Sequence, residues 1–378
     1  MKRTNQYDCA IIGGGVAGLS LAILLAQSNK KVILFEKENF PFHKVCGEYI
    51  SNESIPFLQS LGLNLRNQNL PEINQLLLSS PAGISIQCPL SIGGTGLSRY
   101  ELDHQLFNIA LNVGVEIRTK TKVLNISFQN NLFQTHTIDE DIYSTTAVAA
   151  FGKNSNIDVQ LNRKFRATRD NNLFIAVKYH IYADFFDKTK VEMHNFSGGY
   201  CGLSAIEDNK INMSYISNVC NLKKEGGIHK MEKNILSQNP HLKKYFDKGS
   251  FIFEKPLTVS HLYFEIKDTV NNHILMLGDA AGNIAPLSGN GMSIALQSAK
   301  LSYQSIMLYL NNQINLKEME NHYCQNYRNA FSKRIWTAKQ INRFSLCSPS
   351  ITNLSFRFFK LFPGIVNKMG KQIHGDIF

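Results

Sequence analysis

Two glycine-rich segments carry the clearest chemistry in this sequence. Gly13-Gly14-Gly15-Val16-Ala17-Gly18 has the spacing of a phosphate-binding turn between a strand and a helix. In such a turn Gly13 permits the sharp bend, Gly15 lets a pyrophosphate approach the backbone, and Gly18 lets the helix pack on the strand. The helix start offers unpaired N–H groups and a positive dipole end to the phosphates. Glu36 closes the next apolar run, 18 residues beyond Gly18, where a carboxylate accepts from an adenosine ribose hydroxyl. The second segment is Leu277-Gly278-Asp279-Ala280-Ala281-Gly282, followed by Pro286 and by Gly289-Asn290-Gly291-Met292. A buried strand ending in Gly-Asp places a carboxylate at the carboxyl edge of a sheet, where open α/β sheets bind ligands. The later glycines start a helix with bare backbone, suited to a bulky planar group and to negative charge on it.

These segments need elements to hold them. Residues 7–12 and 31–35 read as buried parallel strands and 19–27 as the helix between them, together one βαβ unit. Residues 100–114 show a helical stripe of Leu102, Leu106, Phe107, Ala110 and Leu111 that ends on Gly114. Residues 115–117 and 121–127 read as strands. From about 165 to 262 the pattern turns to alternating β-branched and aromatic runs, such as 173–182 and 211–216, predicting a mainly antiparallel sheet. Residues 274–277 return to the buried-strand type, and 291–310 form a long helix.

Composition agrees with two units sharing one chain. The 378 residues are 43% apolar and 18% charged, which excludes the disordered and collagen-like classes. Seven cysteines without a CxxC pair argue against a zinc site and a disulfide framework. The histidines lack metal spacing, and neither a Walker loop nor a Gly-x-Ser-x-Gly elbow occurs. No signal peptide opens the chain, and no run reaches the roughly 20 apolar residues of a membrane span. The expectation is a reduced, cytoplasmic, non-spanning protein. Of the net charge of +11, eight charges fall in residues 331–375, which hold no acidic residue and interleave Trp336, Phe344, Phe356, Phe358, Phe359, Leu361 and Phe362. That mixture suits peripheral contact with an anionic membrane at its inner face. It suits equally a helical hairpin over the substrate unit with its charges in solvent. No recognised binding module accompanies the charge, which sets nucleic acid aside.

Taken together, the two glycine segments resemble those of FAD enzymes of the p-hydroxybenzoate hydroxylase type, a superfamily that includes geranylgeranyl reductases and flavin-dependent halogenases. Lys44-Val45-Cys46-Gly47-Glu48 resembles the KxCGE/D segment of the geranylgeranyl reductase branch. Arg99, in Leu97-Ser98-Arg99 ahead of Leu102-Asp103, matches the family arginine that contacts FAD. The likeness runs from about residue 5 to 310. It implies an α/β, Rossmann-like FAD-binding domain from residues 1–75, 97–164 and 265–330. An inserted, mainly antiparallel substrate domain would take 76–96 and 165–264, and 331–378 would be a basic helical segment. The implied cofactor-binding residues are Gly13, Gly15, Val16, Ala17, Gly18, Glu36, Lys37, Lys44, Cys46, Arg99, Val123, Asp279, Pro286, Gly289, Gly291 and Met292. Asp279 would serve the pyrophosphate or ribitol, the 289–292 helix start the flavin N1/O2 side, and the Val123 backbone the adenine.

The activity so implied is FAD-dependent oxidoreduction of an apolar, lipid-like, polyketide or isoprenoid small molecule by a reductase. The alternative is a monooxygenase that hydroxylates or epoxidises through a flavin hydroperoxide; a flavin-binding protein without turnover is a third reading. By the resemblance Cys46 lies near the isoalloxazine, where a thiol would modulate the flavin, and Glu48 would give a proton to a substrate carbanion. A packing thiol and a loop carboxylate are the equal alternatives. Gly198-Gly199-Tyr200 on a strand lets a backbone approach a ligand beside a phenol, or is sheet packing. The halogenase Trp-x-Trp-x-Ile-Pro signature is missing, the sole tryptophan being Trp336, which disfavours halogenation. Phe151, in Ala149-Ala150-Phe151-Gly152-Lys153, stands where the family carries the aspartate of Gly-Ala-Asp-Gly. That departure points away from direct NAD(P)H reduction, towards a separate electron-donor protein or flavin reductase.

Overall fold

The computed structural model describes residues 6–153, 155–163, 173–262, 267–282, 291–345, 348–362, 364 and 376–378. β1 (Gln6–Ile12) and β2 (Val32–Phe35) flank α1 (Val16–Gln27). α1 is apolar nearly all round, with Leu19, Leu21, Ile23 and Leu25 lacking exposed surface. A helix of that kind must lie between layers, and α1 is covered by two later helices. Next come β3 (Tyr49–Ser51), α2 (Ile55–Ser60), β4 (Glu72–Ser79) and β5 (Ser85–Gly96). α3 (Arg99–Asn112) starts on Ser98, whose hydroxyl accepts from Glu101 N and caps the helix. β6 (Glu116–Arg118), β7 (Asn125–Gln129), β8 (Leu132–His136), β9 (Asp141–Ala149) and α4 (Asn156–Gln160) follow.

The middle of the chain builds β10 (Phe174–Tyr182), β11 (Lys190–Phe196), β12 (Gly199–Ala205) and β13 (Ile211–Asn218). Three helices, α5 (Val219–Glu225), α6 (Ile228–Asn234) and α7 (Pro240–Lys248), precede β14 (Ser250–Phe251) and β15 (Leu257–Leu262). β16 (Val270–Asn271) and β17 (Ile274–Met276) return to the first layer, followed by α8 (Gly291–Leu310), α9 (Leu316–Ser345) and α10 (Pro349–Leu361).

Two sheets result, and the architecture is the expected Rossmann-like α/β unit with an inserted second sheet. The first has the order β16-β17-β9-β1-β2-β6, parallel from β17 to β6, with the β7–β8 hairpin added to β9. α1 packs on β1 and β2, and α3 and α8 pack on α1. The second runs β14-β10-β13-β12-β11-β4-β5-β3, with β15 also on β10. Its described pairings are antiparallel except β11 with β4, where distant parts of the chain meet and no hairpin imposes direction. The two faces of this sheet have different neighbours. Ile175, Val177, Tyr179 and Ile181 face Met231, Leu236 and Leu242 of the helical layer, while Phe174, Ala176, Tyr200 and Ile216 face the opposite way, towards Val45.

The structure departs from the sequence expectations in four places. The second sheet recruits residues earlier than 76, through β3 and the start of β4. Residues 121–124 lie outside the strand: Thr121 N bonds Glu36 O and Leu124 N bonds His136 O, and β7 begins at Asn125. Residues 219–248, inside the β-rich stretch, form α5, α6 and α7, because an inner face of apolar β10 side chains needs a cover. Finally, the basic segment does not begin at 331 as a solvated unit. Phe331, Ile335 and Ala338 of α9 are buried, and Arg334 Nη2 donates to Glu53 Oε1 at 2.7 Å, with the Glu53 side chain fully enclosed. Removing one partner of a buried pair destabilises by about 3–5 kcal/mol. We therefore expect Arg334→Met to lower unfolding stability by about 3 kcal/mol in denaturant titration. A loss below about 1 kcal/mol would place the pair with ordinary surface pairs.

Candidate functional site

The glycine turn sits where β1 gives way to α1. Gly13 has φ +111, a conformation that side-chain-bearing residues avoid, and a Cβ on Gly18 would overlap the Gly13 carbonyl oxygen. Above Gly15 the surroundings differ: a Cβ there would meet Arg99 Nη2 at 3.6 Å and Lys44 Nζ at 3.9 Å. α1 has no side-chain cap and no acidic residue in its first turn, so its orphan N–H groups are left to a ligand. Backbone donors on one side and two cations on the other fit a pyrophosphate. Val16 and Ala17 are buried in the helix start.

Glu36, 7% exposed, does more than mark the end of β2. Its Oε2 accepts from Gly14 N at 2.8 Å and its Oε1 from Glu38 N at 3.1 Å, so the carboxylate ties the glycine turn to the strand end. Lys37 beside it is exposed. Val123 is buried in the 121–124 segment that Thr121 anchors to Glu36 O.

The two cations share one counter-ion. Arg99 Nε and Nη2 donate to Asp103 Oδ1 and Oδ2 at 2.9 and 2.8 Å, and Lys44 Nζ donates to Oδ2 at 2.9 Å. Burial pushes the Asp103 carboxyl up, but Arg99 and Lys44 outweigh it and hold the group below its ordinary range. Burial likewise opposes the Arg99 charge, and Asp103, with Cys46 beside it, more than restores that charge. Two cations against one carboxylate leave positive potential over Gly15.

Glu48 anchors the loop that carries Lys44 and Cys46. It has no exposed surface and sits at φ +54, in the left-handed region. Its Oε1 accepts from Lys178 Nζ at 2.5 Å and from Arg99 N at 2.7 Å; its Oε2 pairs with His180 Nε2 at 2.7 Å. Burial raises its carboxyl, yet Lys178 and His180 bring it below the ordinary carboxylate value. The expected role of Glu48 as proton donor is therefore corrected: it is an enclosed, ionised anchor. Lys178 Nζ also donates to Lys44 O at 3.1 Å and Ser204 Oγ to Gly47 O at 2.9 Å, so the loop hangs from the second sheet. Lys178 and His180 were missed in the sequence because Lys and His two apart on a strand read as its solvent side.

The second glycine segment is held by another ion cluster. Arg163 donates to Asp158 Oδ1 at 2.7 Å, to Ala280 O at 2.8 Å and to Asp268 O at 2.6 Å, while Lys267 Nζ donates to Asp158 Oδ2 at 3.1 Å. This fixes the turn bearing Asp279, whose half-open carboxylate lies 3.9 Å from Lys153 Nζ. No motif in the sequence marked Asp158, Arg163 or Lys267. Phe151 packs on the first core beside the glycine turn. Gly291 and Met292 open α8, the first exposed and the second buried; Pro286 and Gly289 lie outside the described residues.

Tyr200 is 5% exposed on β12, clustered with Phe174, Ala176, Ile216 and Leu262 and with Val45 of the loop. Its hydroxyl has no partner among the described residues. Burial drives the phenol well above its ordinary pKa, so the proton stays on Oη. By contrast, a Ser79–His194–Glu192 chain elsewhere in the sheet mimics a nucleophile triad without being one. Ser79 and His194 have no exposed surface, and Asn239 Nδ2 already donates to Ser79 Oγ at 2.9 Å. The hydroxyl bonds His194 Nδ1 and His194 Nε2 bonds Glu192 Oε2, each at 2.8 Å. A cavity of about 470 Å³ lined by Tyr179, Phe246 and Phe251 belongs to the helical side of the sheet, where Glu232 accepts from Tyr179 and Tyr215.

Residues 6–315 match the FAD binding domain family. The chain is 23% identical over 385 residues to Conditioned medium factor receptor 1 of Dictyostelium discoideum, covering 93% of this chain and 71% of that protein. It is 25% identical over 335 residues to the digeranylgeranylglycerophospholipid reductase of Sulfolobus acidocaldarius, covering 80% and 69%. Among solved structures, the myxobacterial chondrochloren halogenase superposes with a TM-score of 0.80 at 16% identity, over 97% of this chain and 91% of that one. At that identity the likeness speaks for the fold.

Two measurements test the anchor. Lys178→Met strips Glu48 of its counter-charge, and we expect FAD retention to fall roughly tenfold or more, with partial recovery in Lys178→Met/Glu48→Gln. Unchanged FAD retention in the single variant would remove the ion pair from cofactor binding. His43, packed on His180 and Phe253, has its pKa lowered by burial and then by Lys178 and His180. The unfolded chain takes up a proton near pH 6.5 that the folded chain refuses, so stability falls as pH drops below about 6.5. We expect His43→Gln to flatten that part of the stability–pH curve measured by urea unfolding.

Proposed function

The chain belongs to the FAD binding domain family and is an FAD-dependent oxidoreductase; from that premise we propose a reductase that adds hydrogen to an apolar, lipid-like small molecule of isoprenoid or polyketide kind. The observation that carries this reading is the cluster of Phe174, Ala176, Ile216 and Leu262 against Val45, with the Tyr200 hydroxyl buried in it unpartnered. A site of that composition suits a largely hydrocarbon ligand with one polar atom. The relative from Sulfolobus acidocaldarius, by name a reductase of a geranylgeranyl lipid, supports the same class. The missing Trp-x-Trp-x-Ile-Pro signature weighs against halogenation despite the halogenase-like fold.

When bound and already reduced by an external electron donor, FAD would supply the electron pair for the reduction. The glycine turn and the start of α1 would hold its pyrophosphate, and Arg99 and Lys44 would set the positive potential over it. Glu36 keeps the turn closed, and Asp279 stands on the fixed turn after β17. Tyr200 holds its proton at Oη and would donate to a substrate oxygen, placing the hydrocarbon beside Val45 and Cys46. The surrounding apolar side chains exclude water from that contact. Phe151, in place of the related hydroxylases' aspartate, favours an electron-donor protein over direct NAD(P)H as reductant.

The reading is tested by mixing the reduced holoprotein with a geranylgeranyl-chain lipid under anaerobic conditions. Substrate-dependent reoxidation of the flavin is expected; reoxidation that requires oxygen would mark a monooxygenase instead. Tyr200→Phe should raise KM roughly tenfold, the worth of one hydrogen bond, with kcat and FAD content kept. Cys46→Ser should keep FAD and lower kcat, and full turnover in that variant would take the thiol out of the reaction.

A further inference from the structure

Outside the flavin site, the most unusual surface belongs to α10. Its inner side seats Phe356, 5% exposed, and Phe359 on Leu76, Leu78, Ile84 and Ile86 of the β4–β5 hairpin. Its outer side carries Ile351, Leu354, Phe358 and Leu361 at spacings of three, four and three, a single helical stripe. These residues are 53%, 69%, 49% and 75% exposed, and Phe362, 52% exposed, holds its ring tilted against that of Phe358 with centroids 5.0 Å apart. Scattered exposed apolar residues are ordinary, whereas a contiguous stripe marks an interaction surface. Arg357 and Lys360 stand exposed on the same helix, and residues 331–375 contain no acidic side chain.

The inner side connects this helix to the candidate substrate cluster. Leu76 pairs in register with Val191 and Leu78 with Met193, and Met193 packs against the Tyr200 cluster. Directly opposed residues of neighbouring strands share a face, so apolar surface continues from beneath α10 to Tyr200. We propose that α10 docks this protein onto the surface of an anionic lipid bilayer, with its apolar stripe at the headgroup–acyl boundary and Arg357 and Lys360 among the headgroups. A second copy is the poorer occupant, because a self-contact would bring the same cations together. Described helices include none long and apolar enough to cross a membrane, so the contact is peripheral.

The test uses the full-length holoprotein and sedimentation with vesicles of pure phosphatidylcholine or an equimolar mixture with phosphatidylglycerol. Binding to the anionic vesicles should be roughly tenfold tighter or more, and should weaken at about 1 M salt, where charges are screened within about 3 Å. Leu354→Glu/Phe358→Glu should abolish binding while FAD content and thermal midpoint stay unchanged, since both side chains are exposed. Arg357→Gln/Lys360→Gln should remove the preference for anionic vesicles. Equal wild-type affinity for both vesicles, or full binding by Leu354→Glu/Phe358→Glu, overturns the proposal. So does a wild-type dimer in solution that Leu354→Glu/Phe358→Glu converts to a monomer, which would make a second copy the occupant. Vesicle binding is read without substrate, so its outcome is separate from that of the proposed reaction.

Discussion

A carboxylate without exposed surface joins the second sheet to the start of α3, and the cofactor side takes its shape from keeping that charge paired. Enclosing an ion costs several kcal/mol unless donors surround it. Glu48 finds Lys178 and His180 on β10 and the backbone N–H of Arg99 at the start of α3. All three reach it only when the second sheet, the 44–48 loop and α3 are in place together. The same bonds hold Glu48 in a left-handed conformation, which costs of order 1–3 kcal/mol and persists only where the surroundings over-determine it. Because Arg99 is held by its N–H, its guanidinium is delivered to Asp103 and to the space over Gly15.

The charges then divide the molecule by function. At the glycine turn, cations outnumber their counter-ion, and that imbalance is what an anionic cofactor fragment would meet. At the turn after β17, Arg163 and Lys267 likewise share one carboxylate, Asp158, but there the guanidinium is used to hold backbone carbonyls. On the helical side of the second sheet, Glu232 and Glu192 accept from Tyr179, Tyr215, His194 and Tyr245, fastening α6 and α7 to the strands. On the opposite side, the described side chains clustered with Tyr200 are apolar: Phe174, Ala176, Ile216, Leu262 and Val45. In the proposed reaction the Tyr200 hydroxyl, unpartnered among the described residues, would favour a ligand able to pair with it, because leaving it unpaired carries a penalty.

Much of the first layer was legible residue by residue. The Gly13–Gly18 spacing, the buried runs at β1, β2 and β17, the helical stripe of α3 and the length of α8 are local patterns, and each formed where expected. Arg99 and Lys44 were placed by resemblance, and they do stand over Gly15. The anchors behind them were not legible: Lys178 is 130 residues from Glu48, and Lys267 is 109 from Asp158. Nothing local distinguishes a lysine that will be enclosed from one that will be solvated. The same is true of Arg334, whose buried partner Glu53 lies 281 residues away.

The sequence by itself determined the element types of the first layer and the phosphate-binding turn, because backbone conformation, periodicity and glycine sterics act over a few residues. Tertiary structure alone decided which charges are enclosed, that Glu48 is an anchor rather than an acid, that α5–α7 cover one face of the second sheet, and that α10 keeps an apolar stripe in the open. Those outcomes depend on desolvation and on partners more than a hundred residues apart, and both exist only once the layers have closed on one another.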